Sequence, residues 1–412
     1  MSITKDGLFK YQALNERQRK NLIILDTIRK SGPVAKATLS RKLDYNIVTL
    51  THHIEDYIKK GLVRESGFDG SSGGRKPVLM ELNNDGAYII GIDFNRGSLS
   101  GVVTDLMLKV IAEAKMSRPV IEQGVVQKSL ADLIRELIKK AGVDASNIRF
   151  VGIGVYGAIG EKNGALKGLD EEKGKSRATL YFMELKQDIE KEFNIPTFFG
   201  QDASFAALGE KARNPSADVD SMLYMFQDIG KGVIVKGEIY CSTDAGGVDL
   251  EGITGNLDDA EKAKLREESS YLRPWDPQMS LKGEALKIIE TGVGTKIVEL
   301  LDGKMETLGD DVIIRAANGK DEIAIELIEG IGINLGIRIA YLINLFSPRI
   351  VIIGGGIEKS GGLLFKQIEK TIEKLALEKS RQSVKIAPSL LGEQGVTLGA
   401  AAAALRELFL EA

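Results

Sequence analysis

The chain has 412 residues, 43% of them hydrophobic and 27% charged, with a formal net charge of -3. That composition belongs to a globular protein long enough for two or three domains, each with its own core, and it excludes disordered and fibrous classes. A single cysteine, Cys241, and only two histidines, His52 and His53, exclude internal disulfides and a multi-thiolate zinc site. No run approaches the roughly eighteen apolar residues of a membrane span, and residues 1–11 lack an apolar signal core, so a cytoplasmic protein without a membrane partner is expected. Charge is uneven: residues 1–82 hold 15 Lys/Arg against 9 Asp/Glu, a balance of +6, and the remainder holds 40 against 49, a balance of -9.

In chain order, Leu22, Ile23, Leu25 and Ile28 predict an amphipathic helix from about Asn15 to Lys30, stopped by Ser31-Gly32-Pro33. A short helix from Ala35 to Lys42 follows, then a turn at Asp44-Tyr45-Asn46 and a longer helix from Ile47 to Lys60 with Asn46 as its N-cap. In that helix Leu50, Ile54, Tyr57 and Ile58 recur at three- and four-residue spacing as a buried stripe, leaving Thr49, Thr51, His52, His53 and Glu55 on the open sides. A polar, exposed first half of a second helix is what a DNA major groove accepts. Gly61 to Glu65 and Pro77 to Leu82 alternate as two strands around a glycine-serine wing, Gly67 to Gly74. The head is therefore read as a winged helix-turn-helix.

The strap Gly73-Gly74-Arg75-Lys76-Pro77 sets two cations beside glycines that permit close approach to a nucleic-acid backbone or a narrow minor groove. Candidate contacts to double-stranded DNA are Lys36, Asn46, Thr49, Thr51, His52, His53, Gly74, Arg75 and Lys76. Three plainer readings stand beside these: a three-helix protein-interaction module, a flexible linker with two solvated cations, and a pair of surface histidines. In Asn15-Glu16-Arg17, Gly32-Pro33, Leu39-Ser40-Arg41, Thr49-Leu50-Thr51, Lys60-Gly61-Leu62-Val63, the strap and Leu82-Asn83, the head resembles the winged-helix domain of ROK-family regulators of the NagC/XylR type.

Beyond the head, Ala87 to Asp93 is an apolar strand ending in a carboxylate, Ser98 to Asp105 and Val110 to Met116 continue as a meander, and a helix is expected from about Gln127 to Ala141. A further strand runs from Phe150 to Val155. Gly152 to Gly157 formally matches GxGxxG, but a dinucleotide fingerprint opens a helix, whereas the glycines and the Lys-Asn-Gly turn of Ala158 to Gly164 predict a hairpin. Gln201-Asp202-Ala203 precedes a helix running to about Ala212, the helix Ile331 to Leu345 is broadly apolar, and the strand Pro348 to Ile353 leads into Gly354-Gly355-Gly356. Alternating strands and helices make the body a layered α/β fold, with ligands expected at strand ends.

The order Asp93, Gly157, Gln201-Asp202 and Gly354-Gly355-Gly356 resembles the ROK sugar-kinase body. Supporting matches are Thr104-Asp105-Leu106, Ala206 to Glu210, Leu335-Gly336, Asn344 to Pro348, Leu391-Gly392-Glu393 and Leu398 to Ala401. The resemblance implies a two-lobed actin-like ATPase fold behind the winged helix-turn-helix. The domains are then 1–82 for DNA binding, 83–204 for a first α/β lobe to which 397–412 returns, and 205–396 for a second lobe with dimerisation and effector elements.

In the family's kinases the aspartate matching Asp202 is the general base on a sugar hydroxyl; the same carboxylate serves binding alone, or simply faces its helix dipole. Two phosphate loops depart from the kinase pattern. Phe226-Gln227-Asp228-Ile229-Gly230-Lys231-Gly232 replaces a GTGIGGG-like loop, and Asn95-Arg96-Gly97 replaces Gly-Gly-Thr. Val248-Asp249-Leu250-Glu251-Gly252 stands where the family has Gly-Glu-x-Gly-His, and the zinc-binding cysteines give way to a polar helix-prone segment, Asp258 to Tyr271. Trp275 beyond it either stacks on a ligand or packs structurally.

The expected function is a DNA-binding regulator without phosphotransfer, cofactor or metal, acting on carbohydrate-related genes as a homodimer or tetramer. Gly157, Gln201, Asp202, Asp249 and Glu251 are its candidate contacts to a sugar or sugar-phosphate effector. The alternatives are a sugar kinase with a regulatory head and a ligand-independent DNA-binding protein.

Overall fold

The computed structural model describes residues 14–68, 77–95, 97–156, 180–214, 219–226, 231–235, 237–240 and 280–412, and the backbone of short strands at 2–3, 9–10, 158–159 and 165–167. Gly74, Arg75, Lys76, Gly157, Asp249 and Glu251 lie outside the described residues, as do Arg96, Asp228, the segment Asp258 to Tyr271 and Trp275.

The first helix, α1 (Glu16–Ser31), opens with a capping box: the Asn15 side chain accepts from the Gln18 N–H at 2.9 Å, and Gln18 accepts from the Asn15 N–H at 3.0 Å. Its inward face is Asn21, Ile24, Leu25 and Ile28, while Ile23 is 44% exposed. Leu25 and Ile28 are buried as expected and Leu22 is half-buried, but Ile24 takes the place expected of Ile23, because four consecutive apolar residues, Leu22 to Leu25, leave the helical phase to be chosen by the partner surface. After β1 (Val34–Ala35), α2 (Lys36–Leu43) ends at Asp44, which takes left-handed angles with φ +54°. Aspartate tolerates that region better than most side chains.

The longer helix, α3 (Ile47–Lys59), buries Leu50, Ile54 and Tyr57 as expected, but Ile58 falls at the rim, 36% exposed. The wing strands β2 (Val63–Phe68) and β3 (Val78–Leu82) pair antiparallel, and β1 adds to the far side of β3 through Val34 opposite Met80 and Ala35 opposite Leu79. That third strand was not foreseen, since two residues have no periodicity of their own and are defined by their partner.

The next sheet holds β4 (Tyr88–Phe94), β5 (Ser98–Thr104), β6 (Val110–Ser117), β7 (Ile148–Val155) and β8 (Thr197–Gln201) in the order β8-β7-β4-β5-β6. β4, β7 and β8 are parallel, and β4 to β6 form the antiparallel meander. Against it pack α4 (Gln123–Ala141), through Val126, Leu130, Leu133, Ile134 and Leu137, and α5 (Phe182–Phe193), through Phe182, Leu185 and Ile189. α4 starts four residues before the expected point. Its polar first turn, Gln123-Gly124, carries no apolar period.

α6 (Asp202–Arg213) follows β8 directly. A second sheet then gathers β9 (Ser221–Met225), β10 (Lys231–Val235), β11 (Glu238–Ile239), β12 (Ile350–Ile353) and β13 (Lys385–Pro388) in the order β11-β10-β9-β12-β13. With strands counted in chain order within each sheet, the first sheet read from its β6 edge and the second read from its β11 edge both run third-second-first-fourth-fifth, so the same plan is used twice. The second core is closed by α7 (Leu281–Glu290), α8 (Lys296–Leu301), α9 (Asp310–Asn318), α10 (Glu322–Phe346) and α11 (Gly362–Leu375), the last two packed along each other. α10 includes the expected helix Ile331 to Leu345. Most of that apolar surface is internal, and Ile333, Tyr341 and Leu345 are exposed.

The chain divides into two compact units: Met1–Gly209, Cys241–Gly246 and Val396–Ala412 form one, and Glu210–Tyr240 and Gly247–Gly395 the other. The head therefore shares a unit with the first sheet. The last helix, numbered α12 because the short turn Glu378–Arg381 is left unlabelled, spans Gly395–Leu410 and joins that unit from Val396. It lies so close that a Cβ on Gly91 of β4 would come 2.0 Å from the Thr397 carbonyl oxygen, and one on Gly399 would come 1.7 Å from that of Phe205 in α6. No helix among the described residues is long and apolar enough to cross a membrane.

Candidate nucleic-acid interface and ligand site

The open face of the head is set by how α3 begins. Asn46 Oδ1 accepts from the Val48 N–H at 2.8 Å, which fixes the first turn and leaves the Asn46 amide nitrogen to donate outward. Of the expected contact residues on this helix and its cap, Asn46, Thr49 and His52 are exposed, and Thr51 and His53 are half-buried. Lys36, half-buried, opens α2 beside them in sequence. Val48, which the sequence reading passed over, is 74% exposed on the same side. Its signal was available: at 100° per residue it sits opposite Leu50, Ile54 and Tyr57.

His53 differs from its neighbour. Partial burial holds its pKa below the ordinary imidazole value, helped by the charges of Arg17 and Lys20, and its Nδ1 lies 3.4 Å from the Tyr57 hydroxyl. Its surroundings therefore favour the neutral, hydrogen-bonding form of the ring over the charged one. The Tyr57 hydroxyl in turn donates to Oδ1 of the buried Asn21 at 2.8 Å, and the Asn21 amide donates to the Ala412 carbonyl. Lys60 Nζ donates to the Glu411 carbonyl at 3.1 Å. The recognition helix is thus tied through α1 to the segment following α12.

The second candidate region is the carboxyl edge of the parallel strands β4, β7 and β8, where register sets Asp93 beside Gly154 and Gly154 beside Gly200. Gln201 ends β8, and its side chain accepts from the Ser204 hydroxyl at 3.3 Å. Asp202, buried, opens α6 and accepts from the Ala203 N–H at 2.6 Å. A helix-opening carboxylate thus stands at a strand end, the position where ligands of such sheets are usually met. Of the five expected effector contacts, the structure brings these two together. After Tyr156 the backbone enters antiparallel pairing of 158–159 with 165–167, so the GxGxxG stretch opens no helix.

Asp93 is buried. Its Oδ2 accepts from Asn95 Nδ2 at 2.8 Å, its Oδ1 has no hydrogen-bond partner among the described residues, and burial pushes its pKa up to about 7. Asn95 Oδ1 meanwhile accepts from the N–H groups of both Gly97 and Ser98 at 2.8 Å. Those are the loop amides a phosphate would otherwise use, and a side-chain oxygen of the chain itself already holds them. In the second unit, the Tyr224 and Phe226 rings meet edge-on at 5.2 Å against the Gly354-Gly355 turn. A Cβ on Gly354 would fall 1.9 Å from the Tyr224 hydroxyl oxygen, and one on Gly355 would fall 2.6 Å from a Phe226 ring carbon. Among the described residues no group of His, Cys, Asp and Glu is placed to hold a metal ion.

A winged helix-turn-helix followed by a twice-repeated α/β plan with strand-end carboxylates defines a regulator built on a sugar-kinase body. The sequence matches the ROK family over residues 89–248 and 289–407, and the chain belongs to that family. It is 26% identical over 397 residues to the xylose repressor of Caldicellulosiruptor bescii, covering 95% of this chain and 96% of that one. Its structure is similar to that of a ROK family transcriptional regulator that is a homolog of the E. coli MLC protein, with TM-score 0.72 and 22% identity over 96% of this chain and 98% of that one. A ROK family glucokinase from Streptomyces griseus, solved with glucose and AMPPNP, matches with TM-score 0.58 and 20% identity over 76% of this chain and 98% of its own. These likenesses give the fold: a head-bearing regulator as a whole, and the actin-like kinase fold in the body.

Proposed function

We infer that the protein is a DNA-binding transcriptional repressor of carbohydrate-related genes whose kinase-like body binds a sugar-type effector and does not transfer phosphate. The observation that carries this is continuity: a winged helix with an outward-facing recognition helix and a ROK body form one chain that aligns along 95% of its length with a xylose repressor. Lys36, Asn46, Thr49, Thr51 and His52 of the head contact operator DNA, with His53 as a neutral hydrogen-bonding group and Gly74, Arg75 and Lys76 tracking the backbone. Gln201 and Asp202, with Gly157, Asp249 and Glu251, contact the effector's hydroxyls. Two copies occupy paired half-sites, because one small head makes few base contacts.

Lost phosphotransfer is supported by the two loops. Asn95 satisfies the amides of the first, and the second opens with Phe226, whose ring packs beside Tyr224 on the Gly354-Gly355 turn. Transfer of a phosphoryl group depends on positioned donors at those places.

The test is a selection of duplexes from a random pool by the intact protein, followed by gel shift with a panel of aldoses that includes xylose, and by an ATP-consumption assay with the same sugars. Enriched duplexes released by one sugar, without turnover, are expected. Sugar-dependent ATP turnover on the scale of a kinase, about 1 to 100 per second, would overturn the non-catalytic reading. Absence of any enriched sequence would overturn the DNA-binding one.

A further inference from the structure

At the centre of the outward side of α3 stands one apolar group with polar neighbours, while the exposed Ile47 and Ile58 lie towards its rim. Taking Val48 as the origin and advancing 100° per residue, Thr51, His52 and Glu55 fall within about 60° of it. The buried stripe Leu50, Ile54 and Tyr57 lies on the opposite side. Val48 is also the most exposed large hydrophobic among the described residues of the head, at 74%. It occupies the second position of the helix, and its own N–H is held by Asn46 at 2.8 Å, so the isopropyl group stands on a fixed turn.

A β-branched side chain there is neither the best helix former nor capped by any neighbour, and the fold makes no use of it. In the major groove only one base offers an apolar partner, thymine, through its 5-methyl group. We propose that Val48 is a specificity-determining residue that packs on the 5-methyl group of one thymine in each operator half-site, a contact that rests on the DNA-binding reading above.

The probe is a duplex enriched from a random pool by the full-length protein, in which each thymine is replaced singly by deoxyuridine, which pairs identically and lacks only the methyl group. For the wild-type protein one replacement per half-site should weaken binding about three- to ten-fold, the scale of one buried methyl group. Val48→Ala shortens an exposed side chain to the best helix former, so the variant folds. It should bind the thymine duplex about as weakly as the wild type binds the uracil duplex, and should lose its response to that one replacement.

Two results overturn the proposal. In one, no thymine replacement affects the wild type. In the other, an effect exists and survives undiminished in Val48→Ala. Either is distinct from failure of the DNA-binding reading, in which no duplex is enriched at all.

Discussion

Asp93 lies near the end of a parallel strand with one carboxylate oxygen bonded to Asn95 and the other without a partner among the described residues. Burial is the main reason its pKa rises to about 7, with Asn95 and Lys115 pulling the other way. The unfolded chain titrates near 3.9, so between about pH 4 and 7 the folded state holds the extra proton. Stability contributed by the neutral carboxyl is then fully present below about pH 4 and is lost as pH rises through 7. Asp93→Asn keeps a neutral acceptor for Asn95 and cannot ionise. Its unfolding free energy should gain on the wild type's by a margin that widens from pH 5 to pH 8, reaching roughly 2–4 kcal/mol. A margin that stays constant or narrows over that range would show that the carboxylate is not held neutral. Tyr57→Phe is the second test at this scale. The ring stays packed, but Asn21 loses the hydroxyl at 2.8 Å in a buried place, so denaturant unfolding should report a loss of about 1–2 kcal/mol. No loss would mean that water replaces the hydroxyl.

At the scale of elements, α3 depends on its first turn both for folding and for presenting the reading face. Asn46→Ala removes the acceptor for the Val48 N–H and should cost about 1 kcal/mol of stability, with weaker operator binding. Asn46→Asp keeps the cap and favours the helix dipole, yet turns a negative charge toward phosphates. It should preserve Tm while weakening gel-shift affinity; equal affinity would place Asn46 away from DNA. Elements with a strong period were legible in the sequence: Leu50, Ile54 and Tyr57 of α3, the meander strands, and the strand-to-helix junction at Asp202. What was not legible depends on partners distant in sequence. Ile23 and Ile24 are equivalent until a second surface chooses between them, β1 exists only because β3 lies beside it, and Asn95 reads as a lost glycine until its oxygen is seen on the amides of Gly97 and Ser98. The aromatic pair on Gly354 and Gly355 was half legible: Phe226 announces bulk, but Tyr224 reads as an ordinary strand residue.

For the molecule as a whole, the +6 balance of residues 1–82 sits on a body of balance -9, so affinity for DNA should be concentrated in few cations and be strongly salt-dependent. Replacing Arg75 and Lys76 together by alanine should weaken binding to all sequences alike and lower the salt slope by about two, whereas His53→Gln should leave the slope unchanged because its surroundings favour the neutral ring. Within the unit that holds the head, a chain of contacts joins the two candidate regions. Asp202 opens α6, Phe205 of α6 meets Gly399 of α12, and the residues after α12 meet Asn21, which holds Tyr57 of α3. If effector binding shifts operator affinity along these elements, linkage requires the reverse shift by the same factor. A saturating operator duplex should therefore weaken the protein's affinity for the releasing sugar as many fold as the sugar weakens its affinity for the duplex. Both factors are measurable by titration calorimetry and fluorescence anisotropy. Asp202→Asn should abolish both shifts while leaving DNA affinity without sugar intact. If the variant's response is unaltered, Asp202 does not belong to the effector site; if the two wild-type factors differ, sugar and duplex are not acting on one equilibrium.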